Sequence, residues 1–257
     1  MEFTTIASGS SGNCTYIKGG STRLLVDAGC SMKHIRESLK AFGTDIECID
    51  AILITHEHID HISKAANLSR KYDIPVYASP LTWESLPFYN DYLPEERHIY
   101  DYGMEIGDIA VDFFKLSHDA VQPVGMVFSA EGQRVAVATD TGMITGTMLR
   151  MLKDVDGLVL EANHDMRMLL GGPYPAYLKQ RILSDHGHLS NEQAAEALCD
   201  IIGPHTAHVI LAHLSERNND PDLALSRVRS ILLASGIDPS FVSVAPRKAA
   251  HELIVLP

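Results

Sequence analysis

One short stretch limits what this chain can fold into more than any other. It runs Thr55, His56, Glu57, His58, Ile59, Asp60, His61, directly after the apolar run Ala51–Ile54. His56, His58, Asp60 and His61 are all metal-type ligands, packed within six residues. The apolar run reads as a buried strand and residues 61–72 as a helix, so the ligands sit at a strand's mouth. If residues 56–60 stay extended, His56, His58 and Asp60 share one face, because side chains two apart point the same way. His61 then turns in from the first helical residue. A polar turn with chance histidines is the plainer alternative. The density of ligands and the strand-then-helix setting favour a site for two divalent ions.

A chain of 257 residues can bury a large core and suits a single domain spanning residues 1–257. Its net charge of −12 argues against a broad basic face for nucleic acid. A local positive site remains open, since two divalent ions with two carboxylates and neutral histidines leave about +2 at the centre. The start lacks a basic and then apolar leader, and no apolar run approaches the ~20 residues needed to cross a bilayer. Cys14, Cys30, Cys48 and Cys199 are scattered without a C-x-x-C pair. We therefore expect free thiols, no membrane partner and a cytoplasmic protein.

Strands are expected at 3–7, 13–18, 22–26, 51–54, 74–77, 110–116, 126–129, 134–138, 158–161, 209–212, 241–244 and 252–255. Helices are expected at 32–42 with Ser31 as cap, at 61–72, near 147, and at 175–183, 190–202 and 221–234. The small residues of 8–13 suit a hairpin connection at least as well as a phosphate cradle. Residues 80–100 read as irregular. Their aromatics, Trp83, Phe88, Tyr89, Tyr92 and Tyr100, read better as core packing than as a lid or a base-stacking surface.

A weak echo runs through the chain. Leu24–Gly29 resembles Val137–Gly142, each an apolar strand ending in Asp-x-Gly, and Ala51–His56 resembles Val209–His213. Two similar halves predict an α/β four-layer αβ/βα sandwich with mixed sheets and one shared site. His118, Asp140 and His213 each follow an apolar strand. With the 55–61 cluster they make seven ligands, enough for two ions. Imidazole and carboxylate donors of this kind admit Zn, Mn or Fe.

The set Asp27 in D-A-G, the run H-E-H-I-D-H over 56–61, His118, Asp140 in T-D-T-G and His213 resembles the five ordered motifs of metallo-β-lactamase-fold hydrolases. That resemblance implies one ion on His56, His58 and His118, another on Asp60, His61 and His213, and Asp140 bridging them. It also implies that Asp27 supports the histidine loop from behind. Further stretches are similar to the compact YycJ/WalJ family of bacteria: A-S-G-S-S-G-N-C (7–14), L-E-A-N-H-D (160–165), Y-L-K-Q-R-I (177–182), G-H-L-S-N (187–191) and H-L-S-E-R-N-N (213–219).

This second resemblance implies a 5′-to-3′ exonuclease with double-stranded DNA as partner. Asp60 would orient the attacking water. His188, supported by Glu161, would protonate the leaving group. Ser10, Ser11, Asn13, Lys179, Arg181, Arg217 and Asn218 are candidate phosphate or strand contacts, although Lys and Arg are more often solvated surface charges. His164 is either a more distant partner or a substrate contact. His34, His98, His186, His205, His208 and His251 read as structural. The same core would also serve an RNA or small-molecule phosphodiesterase, or a thioesterase. A metal-stabilised scaffold is the non-enzymatic alternative, disfavoured by the complete ligand set.

Overall fold

Runs of Val, Ile and Leu bounded by Gly, Asp and Ser pair into two mixed sheets. The computed structural model describes residues 1–86, 91–92, 94–100, 103–247 and 249–257. The first half supplies β1 (Glu2–Ala7), β2 (Cys14–Gly19), β3 (Thr22–Val26), α1 (Met32–Ala41), β4 (Ala51–Leu53), α2 (Ile59–Ile62), α3 (Ala65–Tyr72), β5 (Val76–Ala78), α4 (Pro80–Ser85) and β6 (Arg97–Ile99). The second supplies β7 (Gly103–Ile106), β8 (Ile109–Lys115), β9 (Val124–Ala130), β10 (Gln133–Ala138), α5 (Gly146–Leu152), β11 (Gly157–Glu161), α6 (Met166–Gly171) and α7 (Ala176–Ile182). It continues with α8 (Asn191–Ile201), β12 (His208–Ala212), α9 (Pro221–Ala234), β13 (Val242–Val244) and β14 (Ile254–Val255).

One sheet runs β14-β1-β2-β3-β4-β5-β6 and the other β13-β12-β11-β10-β9-β8-β7. Phe3, Ile17, Leu24 and Val26 from the first meet Met126, Phe128, Val137 and Val159 from the second in a core between the sheets. Packing is close there: a Cβ on Gly157 would lie 2.5 Å from the Phe3 ring. Ile35, Leu39 and Leu68 of α1 and α3 cover the outer face of the first sheet. Met148, Leu198 and Val228 of α5, α8 and α9 cover that of the second. The result is the expected four-layer αβ/βα sandwich.

The halves repeat more regularly than the sequence echo suggests. In each sheet antiparallel pairing gives way to parallel pairing at one strand, β3 in the first and β10 in the second. Asp27 and Asp140, which follow these strands, both adopt left-handed backbone, with φ of 62° and 63°. That half of the echo is real. The other half is displaced by one strand, because the counterpart of β4 is β11, not β12. Parallel strands buried on both faces share one apolar composition, so neighbours are easily confused in sequence.

Other expectations need correction. Residues 61–72 form two helices, because Ser63 Oγ donates to Gly29 O (2.7 Å) and Lys64 N to Ala28 O (2.9 Å). Residues 80–100 are not irregular throughout, since α4, a 3-10 turn at Pro94–Glu96 and β6 lie there. Trp83, Tyr92 and Tyr100 are buried as expected. Phe88 and Tyr89 lie outside the described residues. Tyr100 also donates to Ile54 O (2.7 Å), bracing the backbone just before the histidine loop. β7 and α6 were not expected. Asp165 caps α6 by accepting from Met168 N (2.8 Å).

Candidate metal centre

Loops leaving the C-terminal ends of β3, β4, β8, β10, β11 and β12 converge on one point, the usual place for a site in sheets of this kind. Asp27 organises the first loops. Its Oδ1 accepts from Thr55 N (2.8 Å), and its Oδ2 accepts from Thr55 Oγ1 (2.8 Å) and His61 Nδ1 (2.7 Å). His61 thereby presents Nε2 to Asp140 Oδ2 at 3.2 Å. The loop is not extended through residue 60, as the sequence suggested. His58 occupies the N-cap of α2, and Asp60 and His61 reach the site from the first helical turn. The Asp60 carbonyl accepts from Asn13 N (2.7 Å), and a Cβ on Gly29 would sit only 1.6 Å from it. Glycine at position 29 is what lets these two loops touch.

Two ligand groups form around Asp140. In one, His118 donates Nδ1–H to Gly187 O (3.2 Å) and turns Nε2 to within 3.3 Å of His58 Nδ1, with His56 beside them. Two ligands on a tetrahedral ion with metal–nitrogen bonds of about 2.0–2.1 Å stand about 3.3 Å apart, so the spacing fits. In the other, Asp60 Oδ2 lies 3.6 Å from His61 Nε2 and 3.7 Å from His213 Nε2. Asp140 touches both groups, 3.7 Å from His118 Nε2 and 3.2 Å from His61 Nε2. The buried atoms His56 Nε2, Asp140 Oδ2 and His213 Nε2 have no hydrogen-bond partner among the described residues. Such atoms are costly to bury unpaired, and here they point to a divalent cation.

The electrostatics divide the two groups. Burial, and then neighbouring histidines, hold His56 well below the usual imidazole range; burial also lowers His118. Both are neutral, as metal ligands must be. His61 and His213 behave oppositely. Burial opposes their charge, but Asp27 and Asp140 outweigh it at His61. Asp140, Asp60 and Glu161 lift His213 to about 10. Asp140 is also fully buried, yet His213 and His61 hold its carboxyl well below the usual range.

Behind the second group sits Glu161, wholly buried at the end of β11. Its Oε2 accepts from Thr141 N (3.0 Å) and Leu189 N (3.1 Å). Its Oε1 accepts from both His213 Nδ1 and His188 Nδ1, each at 2.8 Å. One carboxylate thus orients a ligand histidine and a second histidine whose Nε2 is left for the cleft. Burial works against the His188 charge, but Glu161 and Asp140 outweigh it and raise its pKa.

The remaining sequence candidates separate. Ser10, Arg181 and His188 line one cleft of about 160 Å³, together with Asp119, Tyr174 and Ser215. Asn13 does not face that cleft. Its Nδ2 lies 3.3 Å from Asp60 Oδ2 and 3.0 Å from His61 Nε2, and its Oδ1 accepts from Gly9 N. Ser11 lines a different depression with Cys30, His34 and Arg247. Lys179 donates to Leu170 O, and Arg217 is exposed beyond β12. Asn218 cannot meet a substrate where it stands: it is fully buried and its backbone N–H donates to Ser215 Oγ. His164 is buried as well.

Three features were missed in the sequence. Ser8 Oγ accepts from His213 N and Asn163 Nδ2 donates to His213 O, which fix the left-handed His213 (φ 54°). No sequence signal marks either interaction. Asp119 stands 3.4 Å from His118 Nε2 and pairs with Arg181, and its adjacency to His118 was the only hint.

Comparison with known proteins agrees with this fold. The Beta-lactamase superfamily domain matches residues 22–214. The exodeoxyribonuclease YycJ of Bacillus anthracis is 41% identical over 239 residues, covering 92% of this chain and 90% of its own. The exodeoxyribonuclease WalJ of Streptococcus pneumoniae is 40% identical over 259 residues, covering 97% and 96%. Among solved structures, Zn(2+)-bound PqqB from Methylobacterium extorquens superposes with a TM-score of 0.73 at 16% identity, covering 98% of this chain and all of that one. No helix of the described residues is long and apolar enough to cross a membrane.

Proposed function

This chain belongs to the beta-lactamase superfamily and, within it, to the YycJ/WalJ family, and from that premise we propose a dinuclear metal-dependent phosphodiesterase that digests DNA as an exonuclease. One observation carries the step from hydrolase to phosphodiesterase: His188, held by its Nδ1 on Glu161 beside the ligand groups and lining the cleft. A sugar alkoxide is a poor leaving group and needs a proton as it departs. A thiolate does not, so a thioesterase would have little use for His188.

His56, His58 and His118 would hold one divalent ion, and Asp60, His61 and His213 the other, with Asp140 between them. Zinc and manganese suit the donors best, and iron also fits. When bound, such ions supply a water of lowered pKa and neutralise charge on the phosphate. Asp60 then aligns the attacking water and accepts its proton. His188 delivers its Nε2 proton to the departing sugar oxygen, while Glu161 keeps the ring in place through Nδ1. Arg181, at the rim of the same cleft, meets a phosphate oxygen of the strand.

The test is a substrate panel on protein loaded with zinc or manganese: end-labelled double-stranded DNA, single-stranded DNA, RNA, bis(p-nitrophenyl) phosphate and a thioester. Release of mononucleotides from DNA is expected. Turnover of the thioester alone would overturn the proposal.

The two ligand groups should also differ in their response to pH. Protons on His61 and His213 occupy the lone pairs an ion needs, and both pKa values are raised. Those of His56 and His118 are lowered. Acidification from pH 8 to 6 therefore releases the ion at Asp60, His61 and His213 first, and binding there expels protons. Calorimetric titration in two buffers of different ionisation enthalpy reads this directly. Two equivalent, pH-independent binding events would contradict it.

A further inference from the structure

Residues 166–184 combine net positive charge with high exposure beside the candidate site. They contain Arg167, Lys179 and Arg181 and no acidic residue, within a protein that has 33 of them and a net charge of −12. α7 buries none of its residues. Leu170, Tyr177 and Leu183 are 56%, 73% and 40% exposed. Polar links hold the segment in place: Lys179 to Leu170 O, Arg181 to Asp119, and His188 N to Ile182 O at 3.0 Å. The segment also has an inner side. Tyr174, Leu178, Arg181 and Ile182 form one wall of the cleft that holds His188.

We propose that residues 166–183 are the platform on which the end of a DNA duplex is seated, with Tyr177 stacking against a base and Arg167 and Lys179 meeting phosphates. The proposal rests on the exonuclease reading above and adds where the substrate lies. The cleft holds about 160 Å³, below the ~300–1,000 Å³ of pockets that enclose a whole small molecule. It can admit only part of the reacting nucleotide, so the remainder must lie outside. This segment contributes Tyr174, Leu178, Arg181 and Ile182 to the cleft lining and continues outward from it. Its basic residues are complementary to phosphate in a protein otherwise acidic. An exposed aromatic ring offers a stacking face that accepts any base, as an exonuclease working along a strand requires.

The test compares wild type, Tyr177→Ala and Arg167→Glu on a fluorescent duplex and on bis(p-nitrophenyl) phosphate. Both side chains are exposed, and melting temperatures verify that the variants fold. Tyr177→Ala raises KM for the duplex at least about fivefold. The ratio of duplex to small-diester efficiency falls with it. Arg167→Glu flattens the dependence of log KM on log salt by about 0.9, the share of one phosphate no longer neutralised. An unchanged ratio and salt slope in both variants would overturn the platform while leaving the exonuclease reading intact. A wild type that cuts no DNA would overturn both. Binding of wild type to anionic phosphatidylglycerol vesicles, abolished in Tyr177→Ala with no change in duplex KM, would mark the surface as a membrane-binding face and also overturn the platform.

Discussion

Asp60→Ala lowers hydrolysis of DNA and of bis(p-nitrophenyl) phosphate by about 10²–10⁴-fold, with little change in the melting temperature of the metal-free protein. The asymmetry follows from how Asp60 is held. Its backbone carbonyl accepts from Asn13 N at 2.7 Å, a bond alanine keeps. Its side chain is 27% exposed, and the hydrogen bond it accepts from Asn13 Nδ2 is long at 3.3 Å. Structurally, then, little depends on the carboxylate. Chemically much does. Burial works against its charge, but His213 and His61 keep it ionised, as both a ligand and a proton acceptor must be. Activity assays, a thermal melt and metal analysis by mass spectrometry, run on the same preparation, check the prediction. The expected protein is folded, inactive and depleted in the ion at Asp60, His61 and His213. A fully active Asp60→Ala protein would sink the proposed role.

The parts of this site legible in the sequence are those whose residue types are rare and whose neighbours in sequence are also neighbours in space. The 55–61 loop is of that kind, and so are His118, Asp140 and His213, each just past an apolar strand. Secondary structure was legible where a long apolar period met a clear cap, as at α9, predicted and found over residues 221–234, whereas short capped helices such as α4 and α6 were not. What stayed hidden depends on long-range interactions. The break between α2 and α3 exists because Ser63 and Lys64 satisfy carbonyls at Gly29 and Ala28. Asn13 and Asn218 carry phosphate-type donors in sequence, but folding turns one onto Asp60 and buries the other. The left-handed backbone at Asp27, Asp140 and His213 sets where these side chains point. Only surrounding structure, such as Ser8 and Asn163 around His213, can hold non-glycine residues there.

Glu161→Gln, a change of one atom, is expected to cost metal-free protein about 3–5 kcal/mol of stability and to lower kcat about 10²–10³-fold. Every approach to this side chain is a donor: two imidazole N–H groups on Oε1 and two backbone N–H groups on Oε2. An amide has one acceptor oxygen and one NH₂ donor. Whichever way glutamine turns, its NH₂ faces two other donors at a fully buried position. His213 then loses its orienting partner, which weakens the second ion about 10–100-fold. His188 loses the charge that raises its pKa, so less of it carries the leaving-group proton at neutral pH. The effect on acid stability has a definite sign. Burial pushes the Glu161 carboxyl up, but His188 and His213 outweigh it and bring it from 4.5 to about 2. Its folded pKa is therefore the lower one, and its stabilisation is full above about 4.5 and lost as pH falls toward about 2. Urea unfolding of chelator-treated wild type should weaken over that window, and the glutamine variant should begin weaker and fall less. A variant as stable as wild type at pH 7, with unaltered kcat, would mean that Glu161 does not join His213 to His188.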